Sequence, residues 1–164
     1  MMSFNFTRIL ILISTLFIAS ISFAVTLNGR VVGISDGDTV TVLDASNTQF
    51  KIRLMGIDAP EKNQPFGQKS KAALSDLIFN QQVSVDFKKL DRYGRTIGKI
   101  TINGVDANLE LIKKGMAWHY KKYQKEQTVE DAFLYANAEI QAQYQKRGLW
   151  RDKEPIPPWV WRKL

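Results

Sequence analysis

Cysteine is missing from all 164 residues, and histidine occurs once, at position 119. Thiolate catalysis, a disulfide framework and a cysteine and histidine zinc site are thereby excluded, so any metal must sit on oxygen ligands. Acidic residues are in deficit, 16 against 23 Lys and Arg, which gives a formal charge of +7 and a pI of about 9.6. Such an excess favours polyanions at low salt but does not by itself require a nucleic acid. Neither an internal repeat nor a linker is evident, and the length suits one domain. With 45% hydrophobic, 11% aromatic and 24% charged residues, the chain has the means for a core and is not a disordered one.

Long apolar runs are also scarce. The one that stands out is Ile9 to Phe23, which follows Arg8. Its roughly 15 residues fall short of the ~20 that span a bilayer. Ser22 and Ala24 then supply small residues at A-x-A-like spacing, which predicts a signal peptide over residues 1–24 and a mature chain from Val25. Losing Arg8 with it lowers the charge to one unit below the +7 of the whole chain. The expected destination is the periplasm or the medium, with no stable membrane association after cleavage.

Strands come first in what remains. Val25, Leu27 and Val31 alternate with polar residues; Thr39 to Leu43 follows an Asp36-Gly37 turn; and Phe50 to Met55 puts Phe50, Ile52 and Leu54 on one face with Lys51 and Arg53 on the other. Val83, Val85 and Phe87 make a fourth strand, and Arg95 to Ile102 a fifth that closes at Asn103-Gly104. Five short strands suggest a small barrel. Three scaffold helices fit around them: about Pro65 to Phe79, one from the N-cap Asp106 to Gly115, and one capped by Thr128. In the third, Val129, Ala132, Phe133, Ala136, Ile140 and Tyr144 form the expected buried stripe before Gly148. The tail from Glu154 is expected to be too proline-rich for helix and to pack its tryptophans on the body.

Chemistry concentrates in three loops: Asp36-Gly37-Asp38-Thr39, Arg53 through Asp58-Ala59-Pro60-Glu61, and Asp91-Arg92-Tyr93-Gly94-Arg95. Singly, each has a plain explanation as a hairpin turn, a helix entry or a solvated loop. Together, D-G-D-T, R-x-x-x-x-D-A-P-E and D-R-Y-G-R resemble the staphylococcal nuclease (thermonuclease) family, in its order, and the likeness runs from Val25 to Gly148-Leu149-Trp150. The resemblance implies a mixed α/β, mainly β fold, a five-stranded OB-fold Greek-key barrel with about three packed helices. It also implies a secreted, calcium-dependent enzyme that cuts phosphodiester bonds in DNA and RNA and leaves 3′-phosphate ends. By position, Asp38, Asp58 and the backbone carbonyl of Ala59 would hold one Ca²⁺. Arg53 and Arg95 would grip the scissile phosphate, and Glu61 would face the attacking water.

Charge arithmetic supports such a site independently. A phosphodiester is an anion whose transition state carries more charge on its non-bridging oxygens, so a catalyst needs preorganised positive charge and an aligned water. Three carboxylates and two guanidiniums leave one net negative charge, which one divalent cation inverts, so metal and diester reinforce each other's binding. Calcium accepts carboxylate, carbonyl and water ligands flexibly; from the residues alone magnesium fits as well. A guanidinium grips phosphate bidentately in a way an ammonium cannot, so Arg53 and Arg95 should not tolerate lysine. For Glu61, base and water positioner remain open, because a carboxylate near its ordinary pKa of ~4.3 is a weak base.

Arg92 and Tyr93 match family positions near a terminal phosphate. Tyr120 and Tyr123, with Lys121 and Lys122 between them, have the mix of aromatic and basic groups that binds single strands, although a tyrosine pair can equally cover a barrel. Lys88-Lys89 and Lys113-Lys114 read as solvated surface with some steering value. Gly33-Ile34-Ser35-Asp36-Gly37 fits the G-x-S-x-G hydrolase pattern, but a strand rather than a helix follows it, and His119 is taken as structural. The rival is a catalytically silent OB-fold module that only binds nucleic acid or protein. The expected partners are DNA and RNA, single-stranded by preference, for a monomer with little base readout.

Overall fold

The structure, a computed structural model, describes residues 25–164; the expected signal peptide lies outside the described residues. Alternation of apolar and polar side chains produces β1 (Val25–Ile34), β2 (Thr39–Asp44), β3 (Gln49–Leu54), β5 (Gln82–Leu90) and β6 (Thr96–Ile102), with short strands β4 (Ile57–Asp58), β7 (Val105–Asp106) and β8 (Trp118–His119). The sheet runs β3-β2-β1-β5-β6-β7, antiparallel until β3 and β6 pair in parallel. That last pairing closes a five-stranded barrel, as expected. Val31, Val40, Val42, Ile52, Leu54, Val85 and Ile100 fill it, each fully or almost fully buried. Each such side chain contributes roughly 1.5 to 3 kcal/mol. Asn103 and Gly104, both with positive φ, make the turn expected after β6.

Helix α1 (Gly67–Ile78) presses Leu74 and Ile78 into the barrel, and α2 (Ala107–Lys113) adds Leu111 and Ile112. Asp106 caps α2 as expected, its carboxylate accepting from the Leu109 N–H at 2.9 Å. Its other oxygen accepts from the Tyr135 hydroxyl at 2.8 Å. Burial raises the Asp106 carboxyl above its usual range, and burial together with Asp106 raises the Tyr135 hydroxyl.

Helix α3 (Val129–Tyr144) is capped by Thr128 as expected, but of its expected stripe only Ala132 is buried and Ala136 half-buried, and the buried face is centred elsewhere. Asp131, Ala132, Tyr135, Ala138, Glu139 and Ala142 point inward, whereas Val129, Phe133, Ile140 and Tyr144 are exposed, Val129 by 90%. The small alanines let the helix approach closely. The two inward acids are matched by cations: Lys99 reaches Asp131 at 3.0 Å, and Lys121 reaches Glu139 at 2.6 Å. Glu139 also accepts from the His119 backbone N–H at 2.9 Å.

The tail differs too. A single helical turn, α4 (Pro158–Trp161), forms where none was expected. Its proline occupies the first position, where the missing N–H has no helical partner to lose. Its tryptophans do pack on the body: Trp159 stacks on Tyr120 at 5.2 Å and meets Trp118 edge-on at 5.6 Å. No described helix is long and apolar enough to cross a membrane.

Candidate active site

Strand register assembles the acidic and basic residues. Thr39 of β2 faces Arg53 of β3, so the Asp38 that precedes Thr39 meets the Arg53 side chain and forms an ion pair with it. Asp38 is buried, and its second oxygen accepts from the Ala59 N–H at 2.7 Å. Pairing of β4 with β8 sets Asp58 opposite Trp118 and buries it completely. There Arg53 donates to Asp58 at 2.7 Å, so one guanidinium bridges both aspartates. Burial lowers the Arg53 guanidinium from its usual value; Asp58 and Asp36 oppose that, and nearby Arg95 adds to it.

Glu61 leaves β4 in a turn that its own backbone closes. The Glu61 N–H donates to the Gln64 side chain at 3.0 Å, and the Gln64 N–H returns a bond to the Glu61 carbonyl at 2.9 Å. The same carbonyl lies against Gly67, where any Cβ would overlap it. Only glycine allows α1 to begin there.

The loop between β5 and β6 is built by Asp91. One oxygen accepts from the N–H groups of Tyr93 and Arg95, both at 2.9 Å, and the other accepts from Arg95 Nε at 2.7 Å. Burial would raise the Asp91 carboxyl, but the bonds from the Arg95 N–H and side chain and from the Tyr93 N–H hold it below the usual carboxylate range. Both terminal nitrogens of Arg95 are left over, a fork suited to two parallel bonds. Tyr93 is 73% exposed, with Arg95 and Arg92 within 5.4 and 5.7 Å of its ring.

Asp38, Arg53, Ala59, Glu61, Arg92, Tyr93, Arg95, Tyr120 and Tyr123 line one cleft of about 460 Å³. The motifs thus meet in space, and Asp58 sits just behind the wall, on Arg53. Tyr120 and Tyr123 pack edge to face at 5.0 Å, with Lys122 over Tyr123 at 5.6 Å. Ser35, by contrast, lies between two strands, so the serine-hydrolase pattern has no structural basis. His119 is fully buried and bonded to Gln127 at 2.9 Å.

Asp91 stood in the D-R-Y-G-R motif without an assigned role, and Arg162 had no signal in any motif. Asp91 orients Arg95, as described. Arg162, past α4, enters the same cleft and donates to Asp58 at 2.7 and 3.2 Å and to Glu61 at 2.5 Å. The hydrogen bonds it donates to Asp58, and then to Glu61, raise its guanidinium above the usual value, against its partial burial.

Among the described residues, no three Asp, Glu or His side chains stand close enough together to hold an ion between them. The donor chemistry nevertheless fits one. Asp38 and Asp58 are two buried carboxylates joined through the Arg53 guanidinium, and Ala59 lines the cleft beside Asp38; with its backbone carbonyl they make an all-oxygen set that suits a hard divalent ion.

The staphylococcal nuclease homologue model matches residues 51–152, more than half of the chain. The chain belongs to that family. It is an enzyme of the nuclease class, a hydrolase. An "Uncharacterized endonuclease" of Haemophilus influenzae is 47% identical over 134 residues, covering 82% of this chain and 72% of that one. A "Micrococcal nuclease" of Shigella flexneri is 40% identical over 144 residues, covering 82% and 80%. "Protein ParB" of Escherichia coli is 36% identical over 170 residues, covering 98% and 93%.

Proposed function

We propose that this nuclease is exported, depends on calcium and hydrolyses phosphodiester bonds in DNA and RNA to leave 3′-phosphate ends, acting as a monomer that favours single strands. The observation that carries the reading is the convergence of Asp38, Arg53, Glu61 and Arg95, from separate segments, on one cleft. In this reading Asp38, Asp58 and the Ala59 carbonyl hold one ion. When bound, it supplies positive charge to the phosphate and polarises the attacking water.

The chain's own residues do the remaining work. Arg53 and Arg95 bind the phosphate oxygens, and Asp91 fixes Arg95 through Nε so that its terminal nitrogens remain for that task. Glu61 aligns the water or takes its proton. Water adds to phosphorus as the P–O5′ bond breaks; the departing 5′ oxygen takes up a proton and the phosphate remains on the 3′ side. Tyr93 with Arg92, and Tyr123 with Lys122, offer the aromatic faces and cations that unpaired strands use, with Tyr120 beside them, one face already stacked on Trp159. Affinity rests on backbone phosphates and falls steeply with salt.

The test is digestion of single-stranded DNA, duplex DNA and RNA by protein starting at Val25, with calcium, magnesium or chelator, followed by analysis of the ends. Calcium-dependent cleavage to 3′-phosphates is expected. Cleavage that ignores chelator defeats the metal mechanism, and binding without cleavage under any condition leaves the silent OB-fold module. Export is checked at the N-terminus of protein recovered from periplasm or medium: Val25 is expected, and Met1 refutes processing.

A further inference from the structure

The C-terminal segment reaches the site from outside the family match, which ends at residue 152. Two anchors fix its path. The Ile156 carbonyl accepts from Gln64 at 2.6 Å, in the same turn that shapes Glu61, and Trp159 stacks on Tyr120 at 5.2 Å with their planes 9° apart. Arg162 is thereby delivered onto both oxygens of Asp58, with Nη2 on one at 2.7 Å and Nη1 on the other at 3.2 Å, and onto Glu61 at 2.5 Å.

These contacts occupy what a metal would need. A carboxylate has about four lone-pair positions. Arg53 already takes one on Asp58 and Arg162 takes one on each oxygen, three in all, and the residue is completely buried, so the remaining position is closed to solvent. An ion that uses Asp58 must therefore displace a guanidinium. Arg53 is poorly placed to yield, because it lies within β3, its side chain is 15% exposed and it also holds Asp38. Arg162 is 41% exposed and follows a single helical turn rather than lying within a strand.

We propose that Arg162 is a built-in competitor of the divalent cation: it neutralises Asp58 and Glu61 in the metal-free enzyme, gives way when the ion enters, and so sets the affinity of the site for metal. The proposal rests on the metal reading above. Linkage then requires that removing Arg162 tighten metal binding, the opposite of what loss of a merely structural contact would do.

The measurement is calcium binding by titration calorimetry, without substrate, to protein beginning at Val25. Arg162→Gln is expected to bind calcium roughly tenfold more tightly than wild type, a figure reduced from that of a buried pair because the guanidinium is partly exposed. Arg162→Lys, which keeps the charge but not the fork, falls between the two. Lys163→Gln removes the same charge one residue on and stays within about twofold of wild type, since screening weakens an exposed charge that makes no direct contact. Equal or weaker binding by Arg162→Gln overturns the proposal, as does an equal gain in Lys163→Gln, which would reduce the effect to net charge. Calcium binding by none of these proteins sinks the metal reading and this proposal with it, whereas tight but equal binding by all sinks this proposal alone.

Discussion

Replacing Arg95 by lysine isolates what the geometry of a guanidinium adds to its charge. In the structure its Nε is committed to Asp91 at 2.7 Å and its backbone N–H to the same carboxylate at 2.9 Å, so the side chain is held at its root while two nitrogens remain for a phosphate. An ammonium at that position has no separate root and fork. It is drawn to Asp91, and what it retains toward the cleft is one diffuse charge in place of two directed bonds. Deleting a donor of this kind from a transition-state site costs roughly 2 to 4 kcal/mol. That corresponds to a fall of about 30- to 1000-fold in kcat/KM. The Arg95 side chain is 28% exposed on a loop, so the fold should survive the change. The assay is steady-state cleavage of single-stranded DNA in saturating calcium, with the calcium dissociation constant measured alongside to show that the metal site is intact. Asp91→Ala should reproduce a part of the loss, about tenfold, by letting the Arg95 fork wander. Activity of Arg95→Lys within threefold of wild type would refute the argument that orientation, not charge alone, is at stake.

Glu61→Gln should lower kcat by about 100-fold or more in the same cleavage assay, and turnover within threefold of wild type would exclude Glu61 from the water's path. Gly67→Ala drives a methyl into the Glu61 carbonyl and should cost about 1 to 3 kcal/mol in urea unfolding, with activity reduced even where the protein is fully folded. Stability should also depend on His119, the one histidine in the chain. Burial lowers its pKa, and its Nε2 bonds Gln127 while its Nδ1 has no partner to receive a second proton. The unfolded chain therefore binds the proton first. Folding free energy is unaffected above pH ~6.5 and declines as pH falls below it, by at most about 1.4 kcal/mol per unit, until the folded histidine is itself protonated. Thermal melts between pH 5 and 8 measure the slope, and a profile unchanged in His119→Asn would exclude this origin.

Most of the barrel could be read from the sequence because its strands depend on local period, and the cleft residues could be read from the three motifs that carry the family resemblance. Alternation in Phe50, Ile52 and Leu54 gives β3 its inner face and so turns Arg53 outward, and antiparallel register then carries Arg53 to Asp38 without further information. Helix α3 shows where that logic fails. Two stripes offset on one helix both have helical spacing, and hydrophobicity points to Val129, Phe133, Ile140 and Tyr144. The fold buries the other stripe because Lys99 and Lys121 stand ready to pair Asp131 and Glu139, and alanines between them allow close contact. The choice between faces is made by partners 32 and 18 residues away in the chain, and no window along α3 contains them.

Arg162 extends the same argument to the site. It is separated from Asp58 by 104 residues, and nothing in the Trp161-Arg162-Lys163-Leu164 segment distinguishes a solvated charge from a partner of the site's carboxylates. What decides its place is the path of the tail: the Gln64 bond to Ile156 and the stacking of Trp159 on Tyr120 leave Arg162 facing Asp58, the fully buried aspartate behind the cleft wall. A motif can specify which carboxylates a site needs, since their spacing follows from β2, β3 and β4. It cannot specify which cation balances them, because any long side chain carried there by packing elsewhere will serve. The counter-charge of such a site is therefore free to vary while its carboxylates are not, and on the metal reading proposed above the strength of ion binding varies with it.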